Sequence, residues 1–173
     1  MGRVTERLRT IRLLALDFDG VFTDNRVFID EGGREMVVCD RSDSLGLKML
    51  REERPDIRIY VISKETSGVV KARCDKLGIP ALTGVDDKPA ALRDLLIREG
   101  IAAGEAAYIG NDLNDVECLR MAGVGIAPAD GVLEARKAAD LVTRHRGGQG
   151  AIRECTDLLL GIGIRRSGRR KGA

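Results

Sequence analysis

Aromatic side chains are scarce in this chain of 173 residues, which has three Phe, two Tyr and no Trp. So few rings exclude a base-stacking platform for single-stranded nucleic acid. Cysteine is sparse as well: Cys39, Cys74, Cys118 and Cys155 lie far apart, with no CxxC pair. That spacing suggests neither a disulfide framework nor a thiolate metal site, and predicts the reduced thiols of a cytoplasmic protein. No apolar run reaches the roughly 18 residues that a spanning helix needs. Residues 1–7 are charged and carry no continuous apolar stretch, so no signal peptide is expected. The net charge of +2 argues for neither a nucleic-acid nor a membrane partner. The basic excess gathers at Arg165, Arg166, Arg169, Arg170 and Lys171, spaced by Gly and Ser. Residues 163–173 are therefore expected to form a basic flexible tail, with an arm for an anionic partner as the functional alternative. No composition shift marks a second domain, and residues 1–162 are expected to form a single one.

What stands out instead is an apolar run that ends in acid. Leu13-Leu14-Ala15-Leu16 leads into Asp17-Phe18-Asp19-Gly20 and then Val21-Phe22-Thr23-Asp24. Such a run reads as a buried parallel strand, and open α/β sheets bind ligands at the carboxyl ends of their strands. Asp17 and Asp19 are two residues apart, so a regular strand would point both to one face. Two like charges buried together need a cation or a proton between them. A hard divalent ion, Mg2+, held by carboxylate and carbonyl oxygens, is the economical answer. An aspartate on a metal, next to a second carboxylate, can attack phosphorus and form an aspartyl-phosphate. The plainer alternative is a β-turn, since Asp and Gly are common where strands end.

Val27-Phe28-Ile29 and Met36-Val37-Val38 flank Asp30-Glu31-Gly32-Gly33 and predict a hairpin. Beyond it, strands are predicted over 57–62, 81–83, 106–109, 124–126 and 141–142. Helices are predicted over about 44–53, from strand 57–62 to about 77, and over about 87–99, 113–121, 132–138 and 150–160. Gly78 and Gly100 are expected caps, as is Asp87 with Pro89 behind it. Strands that alternate with helices mean a parallel sheet covered on both faces.

Three further strand ends carry polar chemistry. Ser63 follows the second core strand, where a hydroxyl beside a helix start can bind phosphate; a simple helix N-cap is the alternative. Lys88 stands at a predicted helix start, a poor place for a cation unless it serves an anion such as a phosphoryl group; the alternative is a surface lysine. Gly110-Asn111-Asp112-Leu113-Asn114-Asp115 follows strand 106–109 and offers oxygen ligands or a helix-capping cluster. Asp115 is expected to orient Lys88 by a charge-assisted hydrogen bond. Gly147-Gly148-Gln149-Gly150 reads either as the loop that starts the last helix or, in this company, as an anion-binding turn.

Taken in order, these segments resemble the four motifs of haloacid dehalogenase-type phosphatases. Residues 17–24 match DxDGxxTD, the first motif of their sugar-phosphate branch. The resemblance implies that Asp17 is the nucleophile and Asp19 the general acid/base, whose main-chain carbonyl also faces Mg2+. It implies that Ser63 and Lys88 hold the phosphoryl group. The fourth motif is usually GDxxxD or GDDxxD, and Asn111 departs from it. Either Asn111 binds the metal through its amide oxygen or Asp112 takes that role, giving Asp17, Asp19, Asn111 and Asp112 as candidate metal ligands. The implied fold is a three-layer, Rossmann-like parallel sheet with a hairpin insertion after the first strand.

The spacings from Asp17 to Ser63 and from Ser63 to Lys88 leave no room for the cap domain that many relatives insert there. The branch that manages without one is tetrameric, with hairpins and neighbouring C-terminal segments closing each other's sites. Phe22-Thr23-Asp24, the hairpin and GGxGAxRE look like the group of 3-deoxy-manno-octulosonate 8-phosphate phosphatases. That group includes 9-carbon keto-sugar acid 9-phosphate phosphatases and the C-terminal domains of some CMP-sialic acid synthetases. Octulosonate enzymes typically carry a Thr-Gly-Arg-like second motif and GGRG near the end, where this chain has Ser63-Lys64-Glu65 and Gly147-Gly148-Gln149-Gly150. The loss of both arginines favours a nonulosonic acid 9-phosphate, with Glu65 accepting hydrogen bonds from the longer sugar; octulosonate 8-phosphate is the alternative. Without a cap, selectivity falls to the rim residues Lys64, Glu65, Gln149 and Arg153, the last as a bidentate partner for a substrate carboxylate. Two other classes compete: a phospho-receiver module, and a catalytically silent oligomerisation domain, against which Asp17, Asp19, Ser63 and Lys88 argue and which Asn111 keeps open.

Overall fold

Every side chain of the first strand is apolar and fully buried, as a central parallel strand demands. The computed structural model describes residues 2–162; the expected basic tail at 163–173 lies outside the described residues. Its strands are β1 (Leu13–Leu16), β2 (Phe28–Ile29), β3 (Glu35–Met36), β4 (Arg58–Ile62), β5 (Ala81–Leu82), β6 (Ala106–Ile109), β7 (Val124–Ala127) and β8 (Leu141–Val142). Its helices are α1 (Gly2–Arg9), α2 (Arg41–Glu53), α3 (Gly68–Leu77), α4 (Lys88–Glu99), α5 (Val116–Met121), α6 (Leu133–Ala138) and α7 (Ala151–Leu159).

Six strands form one parallel sheet in the order β5-β4-β1-β6-β7-β8, while β2 and β3 pair as a separate antiparallel hairpin. Leu16 lies opposite both Val61 and Ile109. The chain winds outward from β1 to β5, then returns to β6 and winds the other way. The switch therefore falls between β1 and β6, where such sheets bind ligands. The doubly wound α/β fold is the one expected. Only the hairpin separates β1 from α2, and only α3 and β5 separate β4 from α4, so no cap domain is inserted.

Strand periodicity builds two cores. Leu14 and Leu16 face a cluster with Leu8, Leu47, Leu50, Val70, Ile152 and Leu159 from α1, α2, α3 and α7. Leu13 and Ala15 face Leu92, Leu95, Leu96, Leu119 and Ala135 from α4, α5 and α6. Each leucine so buried contributes about 1.5–3 kcal/mol. No helix among the described residues is long and apolar enough to cross a membrane.

The structure departs from the expected elements in several places. The charged start forms α1, where Leu8 packs into the core and Arg7 reaches Asp140 at 2.6 Å. Its apolar residues are too few to declare a helix without the surface they dock on. The hydrogen-bonding side chain of Asp40 starts α2 at Arg41 rather than near 44. The next helix begins only at Gly68, with Ser67 at its N-cap position and no side-chain capping bond, so Ser63 is neither an N-cap nor beside a helix start. The helix expected over 113–121 opens with a 3-10 turn, Leu113–Asp115. The caps Gly78, Asp87 and Gly100 stand where expected.

Candidate active site

β1 delivers Asp17 to the switch point, its N–H donating to the Ile109 carbonyl at 2.9 Å. The chain then makes one tight turn in which the Phe22 N–H donates to Phe18 O at 2.8 Å, and the two rings stack with centroids 5.4 Å apart. Gly20 is required there. Its φ is +75°, and a Cβ would lie 2.0 Å from Asn111 Nδ2. Thr23, fully buried, accepts the Gly20 N–H at 3.2 Å and donates to Asp19 Oδ1 at 3.5 Å.

Lys88, at the first position of α4, is 2% exposed. Its Nζ lies 2.7 Å from Asp17 Oδ1 and 2.8 Å from Asp115 Oδ1. Asp115 is a fully occupied hub. Its Oδ1 also accepts from the Tyr108 hydroxyl at 2.7 Å, and its Oδ2 accepts the N–H groups of Asn111 at 2.9 Å and Asp112 at 3.2 Å. One carboxylate thereby orients the lysine and folds the fourth segment. Burial alone would push the Lys88 ammonium down, but Asp17 and Asp115 hold its pKa above the usual value. Burial, then the charge of Asp115, lifts the Asp17 carboxyl from its ordinary range to about 7, against the pull of Lys88. Burial and then Glu65 also raise Asp19, less fully enclosed.

The end of the Asn111 side chain lies 2.8 Å from the Asp19 main-chain carbonyl and 3.2 Å from Asp17 Oδ2. With its nitrogen turned there, the amide donates to both. With its oxygen turned there, three oxygens converge and only a cation makes the arrangement favourable. Among the described residues no three His, Cys, Asp or Glu side chains cluster as a metal site. The convergence at Asn111 instead combines one carboxylate, one peptide carbonyl and one amide, an oxygen set that suits a hard divalent ion. Asp112 is turned to the neighbouring backbone, its Oδ1 accepting the Leu113 N–H at 2.6 Å.

These groups line a cleft of about 310 Å³ together with Ser63, Lys64, Glu65, Leu113 and Asn114. Ser63, 1% exposed, is held at the end of β4 by its N–H to Leu82 O at 2.8 Å, and its Oγ accepts the Glu65 N–H at 3.1 Å. Lys64 and Glu65 lie on the rim, with Lys64 Nζ 3.9 Å from Asp86.

Gln149 and Arg153 are not brought to this cleft within one chain. They line a separate groove of about 290 Å³ with Arg144, His145 and Asp157, and Arg153 Nε is bonded to Asp157 at 2.8 Å. The glycine segment before them is not an anion-binding turn either, because three successive N–H groups in it are already taken. Gly147 donates to Asp130 at 2.9 Å, Gly148 to Val21 O at 2.9 Å and Gln149 to Arg146 O at 3.1 Å. Tyr108, Asp43 and Asp130 drew no notice in the sequence. Tyr108 is one apolar-looking member of a strand, and its pairing with Asp115 depends on the turn between them.

A family model described as haloacid dehalogenase-like hydrolase matches residues 83–153. The chain is 37% identical over 158 residues to the 3-deoxy-D-manno-octulosonate 8-phosphate phosphatase of Escherichia coli K12, covering 91% of this chain and 83% of that protein. The crystal structure of the Moraxella catarrhalis phosphatase of the same name, in complex with magnesium, phosphate and KDO, matches with a TM-score of 0.89 at 34% identity, covering 93% of this chain and 92% of that one. A haloacid dehalogenase family hydrolase from Streptomyces avermitilis matches at 43% identity with a TM-score of 0.84, covering 88% and 86% of the two chains.

Proposed function

Since the chain belongs to the haloacid dehalogenase-like hydrolases, in their capless sugar-phosphate phosphatase branch, we propose that it is a Mg2+-dependent phosphatase of a keto-deoxy sugar acid phosphate. The observation that carries this reading is the convergence of Asp17, Asp19, Ser63 and Lys88 on one cleft at the sheet's switch point. Phosphoryl transfer is mostly positioning and charge stabilisation, and each of those residues has a part in it. An Asp17 oxygen attacks phosphorus while Asp19 gives its proton to the departing sugar oxygen. The aspartyl-phosphate is then attacked by water, whose proton returns to Asp19, and phosphate leaves with Asp17 restored. Ser63 donates a hydrogen bond to a phosphoryl oxygen, and Lys88 offsets the charge that builds there. Mg2+, when bound by Asp17, the Asp19 carbonyl and Asn111, supplies Lewis-acid neutralisation of the phosphoryl oxygens. Asp112 is the other candidate for the metal, and Asp115 acts by orienting Lys88.

The finer reading is a nonulosonic acid 9-phosphate. Glu65, on the cleft rim, favours hydroxyl groups over a nearby carboxylate. The second reading, octulosonate 8-phosphate, is favoured by the named relatives. A phosphate-release assay with Mg2+ over sugar phosphates decides between them. A preference for the 8-phosphate of tenfold or more, about 1.4 kcal/mol in transition-state binding, overturns the first. No release from either substrate overturns both.

Assembly as a homotetramer in the cytoplasm belongs to the same proposal. The hairpin exposes Phe28 at 59% and Ile29 at 65%, with Val27, Met36 and Val38 beside them, and such a patch needs a cover. A neighbour's hairpin, with its Gln149 and Arg153, completes the rim that one chain leaves open.

A further inference from the structure

The glycine segment freed from an anion-binding role has another use. Gly147 is pressed so closely on the first turn that a Cβ there would lie 1.9 Å from the Gly20 carbonyl oxygen and 3.1 Å from that of Thr23. A Cβ on Gly148 would lie 2.5 Å from the Thr23 carbonyl carbon, and the Gly148 N–H bonds Val21 O. Backbone is thus stacked on backbone along the turn that carries Asp19, with no side chain between to give way. Carboxylates from elsewhere tie the start of the segment and the helix that follows it. Asp130, in the loop after β7, accepts the Gly147 N–H at 2.9 Å. Asp43, in the first turn of α2 and 2% exposed, accepts at 2.7 Å the N–H of Arg153, in the first turn of the helix that follows the segment. The same loop that carries Asp130 sends the Val132 N–H to the Asn111 carbonyl at 2.8 Å, so it links the glycine segment to Asn111.

We propose that residues 146–150 form a brace that sets the Asp19 turn against Asn111, and that Asp43 and Asp130 are its positioning residues. The inference rests on the phosphatase reading for its kinetic consequence. A shift of the turn by a fraction of an ångström moves the Asp19 carbonyl and carboxyl together, so metal affinity and turnover should fall in step. Substrate binding, made by the cleft rim, should change little. Asp43 is enclosed, and water cannot easily replace it. Asp130 is exposed, so its loss is the milder.

The test is a calorimetric Mg2+ titration of the full chain, with kcat and KM measured on an aryl phosphate. Asp43→Ala is expected to weaken Mg2+ binding by about 10–100-fold and to lower kcat similarly, with KM nearly constant. Asp43→Asn keeps an oxygen for the Arg153 N–H and should restore both to within about threefold. Asp130→Ala, at an exposed position that leaves the fold intact, should show the same pattern at smaller size. Mg2+ affinity and kcat equal to wild type in Asp130→Ala and in any folded Asp43→Ala would overturn the brace, even if melting temperature drops. Failure of Asp43→Asn to restore Mg2+ affinity would overturn the role given to Asp43. A wild-type chain that binds Mg2+ but releases no phosphate sinks the phosphatase reading alone, and the titration still decides the brace. A wild-type chain that binds no Mg2+ sinks both.

Discussion

Lys88 Nζ sits 2.7 Å from Asp17 Oδ1, with both side chains buried and Asp115 on the lysine's other side. The cation therefore joins Asp17, the proposed nucleophile, to the Asp115 hub. Taking one partner from such a cluster leaves uncompensated buried charge, at a cost of roughly 3–5 kcal/mol. Lys88→Ala is expected to lose that much stability in urea unfolding and to lose turnover. Lys88→Arg should not rescue it, because the ammonium sits between two carboxylates at 2.7 and 2.8 Å, a spacing that the longer guanidinium does not reproduce. Near-normal stability in Lys88→Ala would contradict this account.

Asn111 faces two oxygens that a carboxylate would repel in the absence of metal. Asn111→Asp should lower the melting temperature of the metal-free protein and enlarge the rise that Mg2+ produces. Asn111→Ala should raise the Mg2+ requirement more than Asp112→Ala, since Asp112 is occupied with the Leu113 N–H. The opposite order in a metal titration would move the metal to Asp112.

The raised pKa of Asp17, about 7 without metal, ties metal binding to protons. Its carboxyl must ionise to bind Mg2+ or attack phosphorus. At low Mg2+, turnover should rise with pH through about 7, and saturating Mg2+ should move that limb to lower pH. A limb that stays in place as Mg2+ is raised would rule out Asp17 as its source.

Asp43 gives a pH dependence of stability away from the metal. Burial, and then the charge of Asp40, lifts it to about 6, while the N–H groups of Arg153 and Gly150 and the His145 charge oppose the rise. Its Oδ2 is buried without a partner. A raised carboxyl binds its proton more firmly when folded, so its contribution is full below the unfolded value and is lost as pH climbs towards 6. Asp43→Asn should therefore gain on wild type as pH rises from about 4 to about 6. A stability difference that stays flat across that range would count against the shift.

The exposed hairpin predicts assembly. Light scattering of the full chain at micromolar concentration should give a tetramer, and replacing 27–38 by a short turn should give smaller species. Sugar-phosphate turnover should fall in them, while some aryl phosphate activity survives because the cleft residues lie elsewhere. A fully active monomeric wild type would refute the shared site.

The chain's linear order carried the segments that meet at the cleft and most of the sheet, because both are written in local pattern. An apolar run before Asp17, glycines after helices at Gly78 and Gly100, and Asp87 ahead of Lys88 all act within a few residues, and each stands where local chemistry puts it. Folding decided most of what meets across long separations. The Lys88–Asp115 pair is expected from the sequence and is found, but the share of Tyr108 in that carboxylate comes from the turn between them, and Asp43 reaches Arg153 because α2 packs on α7. Gly147 and Gly148 were misread for the same reason. Their N–H groups look free for an anion in the linear chain, and are taken by Asp130 and Val21 once β7 and β1 lie in one sheet. The placement of Arg153 away from Asp17 likewise follows from where α7 packs on α2, a contact between surfaces that no local spacing specifies.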